Sequence, residues 1–484
     1  MPVNTQCREY AENLNCWQTV RDCIEGDEKI KARGEKYLPR LSDQSNEEYR
    51  AYQKRAVFFD ATSRTAEGLH GHIFSKDPSQ TGDISEAFKN SLNDIDAAGT
   101  RIDQFASNIT WDALHTGWGG LLVDHSPVAA GTSLADKAGG AFLKWYSAES
   151  IINWRYSVIN NVNKLSLVVL REDKVTQNAN DEFVYSTNEG YRVLSFDENG
   201  NYIQRIFEKS NDVKDGFAVT NQIIPLINGK PLDFIPFYTC PGETPEKSMI
   251  LGLAYENIGY YQKTADYENG LHYTGVPSPI AENMEQPTIE QDGKRIPQKV
   301  LLGSSHFQFF YGGPDSHVNV KYLEFSGSGL TQLSSALNAC LDRMAKLGIQ
   351  AIGPEKNGVE AAETAQIHRV SENGVLGAYA RNMSDKLTQA IRLMAKWNAI
   401  PEEEADGWSY ELNHNFNYDE LSAQILAVMH TARQSNEIPR SVWFNTLKQA
   451  DKLPEDMTFE DFLRELEVDQ VGSHGPDGNE PGNA

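Results

Sequence analysis

Apolar residues near the start of the chain recur every three or four positions. Trp17, Val20, Cys23 and Ile24 form one stripe, and Tyr52, Ala56, Phe59, Ala66, Leu69 and Ile73 form a longer one. This is the spacing of a single helix face. Ser45 with Glu48 matches the capping box that would start the second helix. Ile102, Phe105, Ile109 and Ala113 predict a third helix ending near Gly117. The string Gly117-Trp-Gly-Gly-Leu-Leu-Val-Asp124 then reads as a turn into a buried strand. Between residues 164 and 240 the period falls to two. Residues 165–170, 182–185, 191–196 and 202–208 are short β-type runs, and Asp197-Glu-Asn-Gly200 and Asn228-Gly229 supply turns, because Asn and Gly tolerate positive φ. An antiparallel β-rich insert in an otherwise helical chain is expected.

Residues 251–398 return to helical spacing. Leu251, Ala254, Ile258, Tyr261 and Ala265 mark one face, which ends before Gly275-Val-Pro-Ser-Pro279, where two prolines preclude regular helix. About 45 residues then look extended, with Gln291-Asp-Gly-Lys294 as a turn and 299–311 and 317–325 as strands. Leu330, Leu333, Leu337, Cys340, Leu341, Met344 and Leu347 form the most regular stripe in the chain, and Gly348 is placed to cap its end. Gly353-Pro-Glu-Lys-Asn-Gly358 lies in a loop. A long helix over 360–398 follows, with Ile367, Val370, Leu376, Tyr379, Met383, Leu387, Ile391 and Met394 along it and a kink expected at Gly374 and Gly377. Further helices are expected over 421–432, 441–450 and 459–467. Residues 472–484 hold no core-forming content, so an acidic, disordered tail is expected. The pattern as a whole predicts an α+β chain.

Composition narrows the functional classes. At 484 residues with 39% hydrophobic content the chain can build sizeable cores. No window reaches the roughly 18 uncharged apolar residues of a membrane span, and the first ten residues lack a signal pattern, so cytosolic synthesis without a membrane stage is expected. The five cysteines (7, 16, 23, 240 and 340) are odd in number and fall at no zinc-site spacing, which points to reduced thiols without structural metal. A net charge of −24 argues against a basic face that grips nucleic acid; charge kept for solubility is the simpler account of it, and a passage in which phosphates do not lodge is compatible with it. Residues 399–484 hold 18 acidic and 5 basic residues, so −13 of the −24 lies in that C-terminal segment.

Candidate chemistry is sparse. In the Gly353–Gly358 string, Val359-Glu360 stand where a phosphate-cradling loop needs Lys and Ser or Thr, and neither HExxH nor GxSxG occurs. His70 and His72 with Glu67 form an incomplete metal set. His368, four before Glu372, reads as half of a surface pair or as a packing residue, and Glu402-Glu-Glu404 as a solvated acidic run. The glycines beside Trp118 favour close packing over a ligand loop. Tyr255, Tyr260, Tyr261 and Tyr267 could stack bases, but only Lys263 accompanies them, so helix packing is the better account. No catalytic residue, cofactor or metal ligand is assigned, and no enzyme activity is expected.

In the order of its elements, and in the strings Leu251-Gly-Leu-Ala-Tyr-Glu-Asn-Ile258, Ala265-Asp-Tyr-Glu-Asn269, Tyr322-Leu-Glu-Phe-Ser-Gly327 and Glu363-Thr-Ala365, the sequence resembles the portal proteins of tailed bacteriophages. The resemblance implies a portal-like fold with a helical stem, a small α/β clip, a β-containing wing and a helical crown. It assigns 1–250 to the wing, 251–272 and 322–348 to stem helices, 273–321 to the clip, 349–359 to a tunnel loop, 360–398 to a long kinked helix, and 399–471 to the crown. It further implies a homo-oligomeric ring, usually a dodecamer, at one vertex of the virion capsid, assembled in the host cytoplasm. Its partners would be the terminase large subunit, a head-tail adaptor, a major capsid or scaffolding protein, and double-stranded DNA passing through the channel. Lys346, Gly353, Lys356 and Asn357 would approach DNA, and Asp292, Lys294 and Arg295 would meet motor and adaptor. Two other readings remain open: another virion tail or baseplate component, and an intracellular hydrolase without a linear motif.

Overall fold

Local sequence decides where the N-terminal helices begin and end. Helix α1 (Arg8–Glu25) stops at Gly26, whose φ of 89° an L side chain rarely adopts, and α2 (Asp27–Ala32) starts there. Helix α3 (Asn46–Arg55) opens on the expected capping box: Ser45 Oγ accepts from the Glu48 backbone while the Glu48 carboxylate accepts from the Ser45 backbone. The long stripe from Tyr52 to Ile73 is not one helix, however. It breaks at residues 56–60, and α4 (Ala61–Ile73) starts anew. Groups distant in sequence satisfy the break: the Val57 amide donates to Thr264 Oγ1 at 3.2 Å, and the Thr62 amide and hydroxyl both donate to Asn257 Oδ1. Side-chain partners here replace the intrahelical bonds that a continuous helix would have used.

The computed structural model describes residues 2–125, 140–159, 161–178, 181–210, 213, 216–274, 278–282, 288–291, 294–297, 308–310, 317, 319–323, 328–352, 362–414, 416, 430–433, 435, 438–449, 453 and 457–472. The chain divides into two compact units, Met1–His414 and Asn415–Ala484. In the first, strand β1 (Ser79–Thr81), α5 (Glu86–Asn93) and α6 (Ile102–Thr116) lead to β2 (Gly119–His125). Then come β3 (Ala141–Ser147), β4 (Ile151–Ile159), β5 (Val162–Arg171), β6 (Lys174–Asn178), β7 (Asp181–Asn188), β8 (Gly190–Phe196), β9 (Tyr202–Lys209), β10 (Phe217–Ile223), β11 (Leu226–Ile227), β12 (Lys230–Pro231) and β13 (Phe237–Cys240). The antiparallel insert that the period-two runs predict over 164–240 is present, and it begins earlier than they indicate, since β3 and β4 precede residue 164. It forms a five-stranded sheet β10-β9-β8-β5-β4, a three-stranded sheet β13-β2-β3, and separate β6-β7 and β11-β12 hairpins. Asn228 and Gly229, with φ of 50° and 77°, make the tight turn between β11 and β12.

Strand β2 is the centre of the core and is buried along almost its whole length. Its two leading glycines are required by rings on opposite faces. A Cβ on Gly119 would lie 2.2 Å from the Trp145 ring and one on Gly120 would lie 2.1 Å from the Phe237 ring, so the packing reading of these glycines holds. Gly117 ends α6 in the left-handed region at φ 75°, and Trp118 beyond it stacks on Trp17 and meets Trp154 at a tilt of 47°. Replacing Gly120 with valine forces the Phe237 ring out of the core. We expect a loss of about 3 kcal/mol from such overpacking, read as a lowered thermal midpoint; an unchanged midpoint would mean the ring has room to move.

The last part of this unit is helical with a small β element. Helix α7 (Leu251–Thr274) is followed by β14 (Ser278–Glu282), β15 (Thr288–Gln291), β16 (Lys294–Pro297), β17 (Gln308–Phe310) and β18 (Asn319–Leu323), then α8 (Ser328–Ile352) and α9 (Ala362–Trp397). Strand β14 pairs parallel with β17 and antiparallel with β18, while Gln291 opposite Lys294 leaves a two-residue connection, as the turn motif predicts. The clip was expected to be α/β over 273–321; of its described residues, 273 and 274 end α7, and those beyond lie in strands apart from His317. Helix α10 (Glu402–Gly407) and β19 (Ser409–Glu411), which pairs with β1, complete the unit. The second unit contains helices Arg440–Gln449 and Phe459–Gly472, which meet through Phe444, Phe459 and Phe462. The predicted helix over 421–432 falls mostly outside the described residues, and of the tail predicted over 472–484 only Gly472, the last residue of a helix, lies within them. The molecule is a mixed α+β chain.

Candidate functional site

Helices α7 and α8 run antiparallel. Arg343, late in α8, donates two hydrogen bonds to Glu256, early in α7, while Gly270, late in α7, lies against Leu330, early in α8. The regular stripe explains the contact, since Leu337, Cys340 and Met344 are buried. The Arg343 hydrogen bonds hold the Glu256 carboxyl below the usual glutamate range. Gly348 does not cap the helix: α8 continues to Ile352, and a Cβ at Gly348 would sit 2.8 Å from Thr65 Oγ1 of α4. The glycine therefore serves a close helix crossing, and the helical signal beyond it lacked any stop residue before Gly353.

The opposite face of α8 is polar. Thr331, Ser335, Asn338, Asp342 and Lys346 follow one another at helical spacing and are exposed. Lys346 is thus presented to solvent and makes no ion pair among the described residues. Gly353, Lys356 and Asn357 lie outside the described residues, as does Asp292. Lys294 and Arg295 belong to β16, of which the backbone alone is described. Residues 349–352, expected in the tunnel loop, are helical. Helix α9 continues through Gly374 and Gly377, and the latter lets the His414 carbonyl approach to 2.9 Å of where a Cβ would be.

Helix α7 is held from its other sides by the N-terminal helices. Tyr52 donates to Asp266 at 2.6 Å, Arg55 donates to Asn269, and Gln262 donates to the Tyr37 carbonyl. Phe58 meets Tyr261 edge-on, and Phe59 meets Tyr260. These tyrosines are packing residues, whereas Tyr255 is half exposed beside Cys16.

Other sequence candidates have structural partners. His70 touches the Ser107 carbonyl, Phe74 and Trp111, and burial lowers its pKa. Glu404 accepts from both the backbone and hydroxyl of Ser85, and Glu402 pairs with Lys396. The described residues contain no group of three or more His, Cys, Asp or Glu able to hold a metal, and no helix among them is long and apolar enough to cross a membrane.

Two polar clusters inside the first unit are invisible to motif reading. In one, Arg192 donates to Glu172 at 3.0 Å and to Asp124 at 2.7 Å, Lys144 and Tyr146 also bind Glu172, and Gln204 binds Asp124. Burial would raise the Glu172 pKa, but Arg192 and Lys144 outweigh it and hold the carboxyl low. In the other, Arg21 bridges Asp112 and Glu149 while contacting His115 Nδ1 at 3.2 Å. A guanidinium only donates, so Nδ1 accepts and the proton resides on Nε2. Burial and the Arg21 charge push the His115 pKa down to about 3. Both clusters couple strands or helices, and in both the carboxylates are engaged by cations.

Residues 249–398 match a family model described as "Domain of unknown function (DUF4055)". No curated protein matches. Among solved structures, a chain of one described as "Virion of native gene transfer agent (GTA) particle" is similar at a TM-score of 0.34 and 11% identity, covering 84% of this chain and 94% of that chain. The family span begins two residues before α7 and ends one residue after α9. It therefore contains the antiparallel pair, the small β element between its helices, and the long helix as one block.

Proposed function

We propose that this chain is the subunit of a ring at the portal vertex of a phage-type virion: a channel for genome packaging and ejection, and a docking site for terminase and then a head-tail adaptor. The observation that carries the reading is the block over α7–α9. Two helices lie antiparallel with a small β element at the end where α7 leaves and α8 returns, which is what a stem bearing a clip requires. Residues 1–250 then form the wing, 353–359, beyond the end of α8, the segment nearest DNA, and 399–471 the crown. The polar, weakly charged face of α8 suits a surface that DNA must slide past, because few cations are present to retain phosphates. Lys346, with Lys356 and Asn357 beyond it in sequence, supplies intermittent contact, and Asp292, Lys294 and Arg295 meet motor and adaptor.

Mass measurement and negative-stain imaging of the purified protein test this reading. A closed ring of about twelve copies with an axial hole is expected; a chain that stays single at all concentrations sinks it. A tail or baseplate component would instead join a differently shaped assembly. Deleting residues 353–358 should leave the ring intact and reduce DNA retained in particles. Loss of the ring in that deletion would show that the loop is an assembly element.

A further inference from the structure

We infer that one water molecule is a built-in part of the joint between α1, α6 and the segment leading into α7, accepting a hydrogen bond from His115 Nε2–H and donating one to Asn13 Oδ1. His115 is only 5% exposed, and Arg21, which can only donate, faces its Nδ1 and so fixes the proton on Nε2. That Nε2–H is buried and meets no acceptor among the described residues. A donor left in this way gives up its hydration for nothing, and almost all buried polar groups in folded proteins have a partner, whether protein or ordered water.

A cavity lies beside the imidazole. Asn13, Trp17 and Val20 of α1, His115 at the end of α6, and Ser248 and Leu251 where α7 begins are in its wall. Arg21, which holds the Nδ1 edge of the ring, is not, and this leaves the Nε2 edge to face the space. The cavity encloses about 10 Å³, the least that admits one water molecule. Its chemistry and size select the occupant: the N–H repels a cation, and a phosphate, sulfate or carboxylate does not fit. Water accepts from Nε2–H and needs an acceptor in turn. Ser248 Oγ already donates to the Leu114 carbonyl and accepts from the Ile250 amide, and Thr116 Oγ1 is engaged twice with Trp118. Asn13 donates through Nδ2 to the Glu9 carbonyl and makes no bond through Oδ1 among the described residues, so that oxygen receives the water's hydrogen. Both edges of the neutral imidazole then have partners, and α1 is tied to α6 at a second point beside the Arg21 bridge to Asp112 and Glu149. The site is complete within one chain, so it stands or falls independently of the ring reading.

High-resolution diffraction from the natural full-length chain tests the assignment directly. An ordered water is expected about 2.7 to 3.2 Å from His115 Nε2, with its second contact on Asn13. Density without a peak there, or Nε2 bonded straight to a protein acceptor such as Asn13 Oδ1, overturns it. In solution, Val20→Ile fills the same space. In the natural chain this substitution expels the water and strands the N–H, so the thermal midpoint falls by about 2 °C or more. With His115→Phe already in place there is no N–H to strand, and Val20→Ile leaves the midpoint unchanged or raises it. Equal shifts in the two backgrounds mean a dry cavity and overturn the proposal; should a variant fail to fold, the diffraction result on the natural chain decides alone.

Discussion

Acidification from pH 7 to pH 5 should destabilise the protein measurably, and His115 should be a principal cause. In the folded chain its pKa is held at about 3, against a usual histidine value of 6.5. A depressed folded pKa means that below pH 6.5 the unfolded chain takes up a proton that the folded chain refuses. The stabilisation is complete above pH 6.5 and is lost as pH falls towards 3, at up to 1.4 kcal/mol per pH unit. The full loss is about 3 to 5 kcal/mol, with roughly 2 kcal/mol gone by pH 5. His70, also lowered by burial, acts in the same direction. Below the carboxylate range Glu172 adds a further loss, since its low folded pKa gives stability that disappears as it is protonated. The measurement is the urea midpoint at pH 7 and pH 5 for the natural chain and for His115→Gln. The variant, whose side chain can still accept from Arg21, should lose less on acidification. Parallel losses would remove His115 from the account.

Arg192→Ala should be the most damaging single truncation in the β-rich part of the first unit. It strips the cation from Asp124 and Glu172, whose side chains are only 11% and 19% exposed. Breaking one partner of a buried pair costs about 3 to 5 kcal/mol, because a charge is left inside without compensation. Lys144 remains on Glu172, so the greater burden falls on Asp124, which keeps only Gln204 and the His125 amide. Removing the charges together, as Arg192→Met with Asp124→Asn and Glu172→Gln, should recover much of the loss. The readout is the thermal midpoint; a triple variant no better than Arg192→Ala would mean that the guanidinium acts through packing and not through charge.

What could be foreseen from the residues was set by local chemistry. Ser45 with Glu48, Gly117 after α6, and Asn228-Gly229 act within a few positions of themselves, and each does in the structure what its spacing implies. The failures share the opposite cause. Residues 56–60 look helical because nothing nearby breaks the stripe; Thr264 and Asn257, about 200 positions later, make the break stable. Gly348 looks like a stop because its reason for being glycine is Thr65 on another helix. The cluster of Asp124, Lys144, Glu172 and Arg192 has no sequence spacing that chemistry would recognise, since four strands or strand ends bring it together. The α7–α8 hairpin was legible through its stripe, whereas the candidate DNA-facing positions were placed by family resemblance alone.

The bonds that Thr264 and Asn257 make to the interrupted helix carry a consequence for synthesis. The Val57 amide waits for a partner 207 residues downstream. At ribosomal speeds of roughly 5 to 20 residues per second, that interval is about 10 to 40 s. Throughout it Tyr52, Phe58 and the open backbone at 56–60 are without the helix that covers them. A nascent chain stalled before residue 264 should therefore be bound by holding chaperones at this segment and released once α7 has emerged.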